Sequence, residues 1–460
     1  MTATHKFNPT VLREYDVRGV IGDTLGEADA AALGRAFGTQ VRRAGGSRVC
    51  VGYDGRLTSP MLEAALVDGL ASTGLEVLRI GMGPSPMLYF SVYHHDADGG
   101  VMVTGSHNPP DYNGFKMMLG KKPFFGEQIQ GLGRCAASGD FETGTGSATS
   151  APVFDAYVDR LLLDYDGDPI HAAWDTGNGA AGPVIEAVTR RLGGRQRLIN
   201  IEVDGTFPNH HPDPTDPETL HQLRAAVLND GLDLGLGFDG DGDRIGAIDG
   251  GGEIVWGDQL LAILARDVLR DVPGATIVAD VKSSQVLFDD VAAHGGNPVM
   301  WRTGHSLIKQ KMAETGAPLA GEMSGHIFFA HGYYGFDDAI LAALRLMSAL
   351  SHMGKNLAEL RRSLPQMMNT PELRFPCAED RKFDVPGEIE ARLRDSGLDV
   401  NAIDGVRVSS EDGWWLLRAS NTQDVLVARC ESETAEGLAR LKASLTTQLV
   451  QSGIQPPEGI

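Results

Sequence analysis

VGYDGR at residues 51–56, AAWDTGNG at 172–179 and IVADVKSS at 277–284 read as one object met three times. Each is a short apolar run that ends in an aspartate and opens into a loop of small residues, the pattern of a buried strand and its exit. A second strand ending in a polar loop follows each of them, roughly 40–65 residues later. Those loops are VTGSHNP from 103, GFDGDGDR from 237 and AGEMSGH from 320. Strand, glycine-bearing loop and helix alternate between them, as in Arg48–Asp54, Pro60–Ser72 and Glu76–Ile80. That alternation predicts α/β units with mostly parallel sheets. Open α/β sheets bind ligands outside the carboxyl ends of their strands. Three units in register therefore predict a ligand cleft lined by the three polar loops.

The rest of the chain fits around this repeat. At roughly 100–200 residues per domain, 460 residues make three or four domains. Apolar residues at 42% supply an ordinary globular core. The formal charge of −21 argues against a nucleic-acid or anionic-membrane partner, so any phosphate site must concentrate Arg, Lys and N–H groups locally. Cys50, Cys135, Cys377 and Cys430 are far apart with no CxxC, which fits buried thiols in a reducing, cytoplasmic setting. No signal-peptide h-region and no apolar run of about 18 residues is present, so neither export nor a membrane span is expected. Breaks are expected at the small, polar AASGDFETGTGSATSAP (136–152), at DGGGEI (249–254) and near LPQMMNTPEL (364–373). They predict units at 1–151, 152–253, 254–367 and 368–460. Residues 405–432 alternate like antiparallel strands, which makes the last unit a smaller α+β domain.

Chemistry concentrates in the loops. In FDGDGDR, Asp239, Asp241 and Asp243 alternate with glycines directly after the apolar LGLGF. Three carboxylates this close repel unless a cation sits among them, and oxygen-only ligands point to Mg²⁺ or Ca²⁺. An EF-hand is excluded, because Arg244 holds the sixth position and Gly250 the twelfth. Arg244 beside such a cation suits a phosphate clamp. Ser106, in TGSHNPPDYNGFKM (104–117), is no hydrolase nucleophile elbow: Thr104 and Asn108 stand where that motif needs glycine. Pro109 and Pro110 stiffen its loop, and Lys116 follows. A serine near a cation and a lysine suggests phosphoryl chemistry. GEMSGH offers Glu322, Ser324 and His326 as sugar-hydroxyl partners; by itself it reads equally as a helix start. RASNTQ gathers Arg418, Ser420, Asn421 and Thr422 as an anion nest or a hairpin turn, and EYDVRG sets Tyr15 and Arg18 before a glycine turn.

Together these five stretches, in this order, resemble the α-D-phosphohexomutase family over nearly the whole chain. The methionine in GEMSGH and the opening REYDVRG are most similar to its bacterial phosphomannomutase/phosphoglucomutase branch. The resemblance implies three similar mixed α/β sheet domains plus a smaller C-terminal α+β domain around a central cleft, with the last domain moving to open and close it. It implies that Ser106 is phosphorylated and, with Asp239, Asp241 and Asp243, binds Mg²⁺. Hexose 1-phosphate and hexose 6-phosphate, of mannose and of glucose, would interconvert through a hexose 1,6-bisphosphate, with glucose 1,6-bisphosphate as activator. Arg18, His107, Lys116 and Arg244 would surround the phosphoserine, and Lys282 and His305 would serve proton transfer or binding. Glu322 and Ser324 would contact the sugar. Tyr15, His326, Arg418, Ser420, Asn421 and Thr422 would hold the distal phosphate. The expected state is a cytoplasmic monomer or weak oligomer. Phosphoglucosamine mutase is the runner-up, ahead of a serine-dependent metallophosphatase and a non-catalytic sugar-phosphate binder.

Overall fold

A computed structural model describes residues 4–394, 397–421 and 423–456, whose strands form four sheets. The first three sheets share one plan. Each has a first strand, an outer parallel second strand, a third strand parallel to the first on its other side, and a fourth that returns antiparallel to the third. In the first sheet these are Arg48–Tyr53, Glu76–Met82, Gly99–Val103 and Tyr112–Leu119. In the second they are Ala172–Asp175, Gln196–Ile199, Leu234–Phe238 and Ile245–Asp249. In the third they are Thr276–Asp280, Asn297–Trp301, Leu319–Gly321 and Ile327–Phe329. The sheets are therefore mixed, as the family resemblance implied, where strand–helix alternation alone predicted mostly parallel ones. The loop after each third strand is too short for a crossover, so the chain can only return antiparallel. Those three turn-back loops are the chemically marked ones: residues 104–111, 239–244 and 322–326.

Two of the expected breaks carry regular structure. Ile254–Val255 pairs with Ile245–Asp249, so the glycines of DGGGEI form a hairpin turn. Residues 136–138 end the helix Glu127–Ser138, and Ser147–Ser150 is an edge strand beside Glu76–Met82. Small residues suit a tight turn and an exposed edge as well as they suit a linker.

The first sheet also gains the edge strand Val17–Val20, paired to Tyr112–Leu119 with Arg18 opposite Gly114. A Cβ at Gly114 would lie 2.1 Å from the Val17 carbonyl, so glycine permits the approach that brings Arg18 to the serine loop. The fourth sheet is antiparallel: Val406–Ser410, Gly413–Ala419 and Val425–Ser432 are its centre, and the helix Ala435–Gln451 packs on it.

One apolar core runs through the first three sheets, from Cys50 and Met102 through Trp174 and Leu236 to Ile277 and Leu319. The helix Ala339–Met353, buried on nearly every side, lies within it. The fourth sheet keeps its own core around Trp415, Leu417 and Leu445. It meets the third across polar contacts. Arg407 donates to the Val281 and Ser283 carbonyls at 2.7 and 2.9 Å, and Ser284 donates to Glu431 at 2.8 Å. An apolar patch of Val281, Trp414 and Leu416, with Met300 and Ile403 packed against it, also joins them.

Asp338 caps the buried helix. It accepts the Leu341 N–H at 3.0 Å and the hydroxyls of Tyr157 and Tyr333 at 2.8 and 2.9 Å. Burial outweighs these donors and raises its pKa to about 6. A carboxyl raised by folding contributes stability while protonated, and that stability is lost as pH rises toward 6. Asp338→Asn removes the charge, keeps the oxygen that accepts the Leu341 N–H and turns Oδ2 into an amide nitrogen that donates to the two tyrosine hydroxyls. It is expected to be more stable than the parent at pH 8, on the order of 2–3 kcal/mol, with the gain vanishing near pH 4. Urea titrations at the two pH values check this; an equal effect at both refutes it.

Candidate active site

The carboxyl ends of the first three sheets and the 418–421 turn of the fourth line one cleft. Ser106 sits at its base, 2% exposed, with φ +50°, a left-handed conformation costly for a side chain-bearing residue. Its Oγ donates to Asp239 Oδ2 at 3.2 Å and lies 3.2 Å from His107 Nδ1. The loop is held from two sides. Arg18 donates to the Gly105 carbonyl at 2.8 Å and to Asn108 Oδ1, and is itself paired with Asp16. Behind the loop, Asp54 accepts the Gly105 N–H at 3.1 Å. Burial, then the charges of Arg244 and Arg18, push His107 well below the usual histidine range, so its imidazole is neutral.

Asp239, Asp241 and Asp243 are fully buried, with carboxylate oxygens within 4.8 Å of one another. The alternating glycines make this possible: Gly242 has φ +72°, and a Cβ on Gly240 would stand 2.5 Å from the Ser106 carbonyl. Lys116, on the strand returning from the serine loop, donates to Asp241 at 2.7 Å and to Asp243. Burial and then the neighbouring Asp243 and Asp241 raise Asp239 well above the carboxylate range. Burial also pushes Asp241 upward, but the Lys116 ammonium outweighs it and leaves Asp241 below that range. Among the described residues, Asp241 Oδ1 and Asp243 Oδ1 have no hydrogen-bond partner. Buried, unpaired carboxylate oxygens beside a serine hydroxyl fit a hard divalent cation.

Across the cleft, Glu322 accepts the Gly304 N–H at 2.5 Å and the Ser324 hydroxyl at 3.3 Å. Burial raises its pKa. Lys282 is paired to Glu372 at 3.0 Å. Arg418 is paired to Asp404 at 3.0 Å, and Asn421 donates to the Tyr15 hydroxyl at 2.7 Å, joining the first and fourth sheets. Ser420 accepts the Gln423 N–H at 3.2 Å. Thr422 lies outside the described residues. His305 stacks 5.6 Å from His326. Burial, then Lys309, keep His305 well below the usual histidine range.

His326 stands elsewhere than among residues 418–421. Its Nε2 accepts the Arg244 Nε–H at 3.0 Å, and its Nδ1 lies 3.0 Å from Asp337 and 3.7 Å from Asp243. The turn at Gly325 (φ +87°) folds it back toward the aspartate loop. Asp337, which also pairs with Lys309 at 2.9 Å, went unmarked in the sequence, since FDDAI reads as a helix start. Asp54 and Asp280 were visible only as strand ends. The structure makes them loop braces: Asp280 accepts the Met323 N–H at 3.1 Å, as Asp54 does for Gly105.

Comparison with known proteins agrees with this geometry. Four phosphoglucomutase/phosphomannomutase family profiles match in order: alpha/beta/alpha domain I over residues 9–142, II over 155–252, III over 256–368, and the C-terminal domain over 372–448. The chain is 44% identical over 454 residues to a phosphomannomutase/phosphoglucomutase of Pseudomonas aeruginosa, covering 97% of each. It is 42% identical to a phosphoglucomutase of Neisseria gonorrhoeae, covering 94% of this chain and 95% of the relative. A phosphoglucomutase/phosphomannomutase family crystal structure from Burkholderia thailandensis superposes with a TM-score of 0.92 at 42% identity, covering 97% of this chain and 98% of that one. A serine against an aspartate triplet, four sheets around one cleft and relatives matched nearly end to end lead to one assignment: the chain belongs to the phosphoglucomutase/phosphomannomutase family of α-D-phosphohexomutases.

Proposed function

We propose that this phosphohexomutase interconverts the 1- and 6-phosphates of mannose and glucose by passing a phosphoryl group through Ser106. The observation that carries the reading is that one cleft is lined both by Ser106, Lys116 and Arg244 and by Arg418, Ser420 and Asn421. A phosphatase needs only the first set. A mutase must also hold a second phosphate while the first is transferred.

In this reading phosphorylated Ser106 donates to the free hydroxyl of a bound hexose phosphate. The bond from phosphorus to Ser106 Oγ breaks as a bond to the sugar oxygen forms. The sugar hydroxyl gives its proton to a neutral base, for which His305 is the candidate, and an equivalent proton passes to the departing Ser106 Oγ, so that the serine hydroxyl is restored with no net gain or loss of protons. The 1,6-bisphosphate turns within the cleft, and its other phosphoryl group returns to Ser106. Mg²⁺ held by Asp239, Asp241, Asp243 and the phosphoserine would neutralise charge on the transferring group. Arg244, Arg18 and Lys116 add fixed positive charge there. Glu322 and Ser324 orient sugar hydroxyls, while Tyr15, Arg418, Ser420, Asn421 and Thr422 receive the distal phosphate. Glucose 1,6-bisphosphate serves as activator by charging Ser106. The expected state is a monomer or weak oligomer. Four free, buried cysteines and the absence, among the described residues, of any helix long and apolar enough to cross a membrane support a cytoplasmic setting.

A phosphorus NMR time course on mannose 1-phosphate with Mg²⁺ and a trace of glucose 1,6-bisphosphate tests this. Growth of mannose 6-phosphate is expected. Growth of inorganic phosphate alone would overturn the reading.

A further inference from the structure

We propose that Arg56 positions Ser106 for phosphoryl transfer, acting on the backbone of the serine loop and not on substrate; this rests on the mutase reading above. Arg56 is 1% exposed and lies behind the loop, outside the cleft lining. Its guanidinium gathers three carbonyls of that loop and a fourth from the first residue of the strand that follows it. Nη1 donates to Pro109 at 2.5 Å and Tyr112 at 3.0 Å, and Nη2 to Ser106 at 2.8 Å and Asn108 at 2.6 Å. Nε stands 3.2 Å from Asp54 Oδ2, the same oxygen that accepts the Gly105 N–H. The loop between the second and third strands of the second sheet closes over the other side. Phe207 lies 5.1 Å from the guanidinium carbon, and Gly205 sits where a Cβ would come within 2.6 Å of Arg56 Cα.

A buried guanidinium used as filler has no need of four acceptors on one segment. The planar fork of donors fixes directions as well as distances, which a lysine point charge does not. Across a trans peptide the C=O and N–H point opposite ways. Drawing the Ser106 carbonyl toward Arg56 therefore turns the His107 N–H to the opposite side of that peptide. It also holds Ser106 in its left-handed conformation. Arg56 thereby sets the direction of Ser106 Oγ relative to Asp239. A displacement near 1 Å there costs about 100-fold in rate.

The test compares R56K and G105A with the parent enzyme in Mg²⁺, using mannose 1-phosphate and a trace of glucose 1,6-bisphosphate. G105A leaves the arginine in place but sets a Cβ 2.3 Å from its Nε, displacing the guanidinium. The control is L445A, a core truncation in the fourth sheet's domain. For R56K and G105A, kcat is expected to fall about 100-fold with KM within about threefold. The yield of inorganic phosphate per mannose 6-phosphate is expected to rise at least about tenfold, because a misaligned phosphoserine loses more to water. L445A should leave that ratio at the parent value. A parent-like ratio and kcat in both variants overturns the proposal, and so does failure of both to fold, which would make Arg56 a stability residue. If R56K alone fails to fold, G105A decides. A parent enzyme that forms no mannose 6-phosphate at all removes the mutase reading and this proposal with it.

Discussion

Ser106→Ala is expected to lower mutase turnover by about 10⁴-fold or more while leaving the fold intact. The effect is large because the serine is the carrier. Without it, the phosphoryl group has no covalent stop between the two ends of the sugar. The stability cost is small. The substitution removes one hydroxyl whose bonds reach Asp239 and His107. Asp239 keeps the Asp243 and Arg244 N–H groups at 3.0 and 3.1 Å. A loss of about 1 kcal/mol is expected from the missing hydrogen bonds. Intact-protein mass after incubation with glucose 1,6-bisphosphate supplies a second readout. The parent gains one phosphoryl group and the variant gains none. Parent-like turnover, or a phosphorylated variant, would move the carrier role to another residue.

Lys116→Met is expected to damage both stability and rate. The ammonium is buried between Asp241 and Asp243, and its removal leaves two carboxylates without that counter-charge. Breaking a buried pair in this way costs about 3–5 kcal/mol in protein stripped with EDTA. Saturating Mg²⁺ should return part of that loss by mass action on the folded state. In the parent, Lys116 holds Asp241 below the usual carboxylate range. A carboxyl depressed by folding contributes stability above its unfolded pKa, about 4, and that stability is lost as pH falls below it. In the variant, burial dominates and the sign reverses, so acidification toward pH 4 should stabilise. Turnover at saturating Mg²⁺ should still fall about 10²–10⁴-fold, because one of the fixed positive charges at the transferring group is gone. Urea titrations with and without Mg²⁺, at pH 7 and pH 5, check the first part. An unfolding midpoint equal to the parent's in EDTA would refute it.

The parts of this molecule legible in its sequence are those where chemistry sits in one contiguous run. The aspartates of FDGDGDR need only their own glycines to converge, so spacing alone announced a cluster of three carboxylates. The three aspartate-ended strands announced three like units for the same reason. What spacing could not show is contact at a distance. The return strands Tyr112–Leu119, Ile245–Asp249 and Ile327–Phe329 pair antiparallel because the loops before them are short, a constraint that apolar periodicity does not carry. Arg56 stood in plain view in VGYDGR, but the carbonyls it gathers lie about fifty residues on, across a sheet. His326 read as one of a loop's alternating polar groups; a single glycine turn sends it back toward Arg244. Asp337, wedged between Lys309 and two histidines, belongs to no motif.

The shared apolar core and the polar seam give the molecule unequal stiffness. Prising apart the first three sheets would wet a continuous hydrocarbon interior, at about 25 cal/mol for every Å² exposed. Among the described residues, parting the fourth sheet from the third would wet only the patch of Val281, Trp414 and Leu416 and would exchange hydrogen bonds at Arg407 and Glu431, each worth about 1 kcal/mol net, for hydrogen bonds to water. The rigid frame carries Ser106 and the aspartates, and the compliant arm carries Arg418 and Asn421. Any change in cleft width is therefore expected at the seam, with the 3.2 Å between Ser106 Oγ and Asp239 set by the frame.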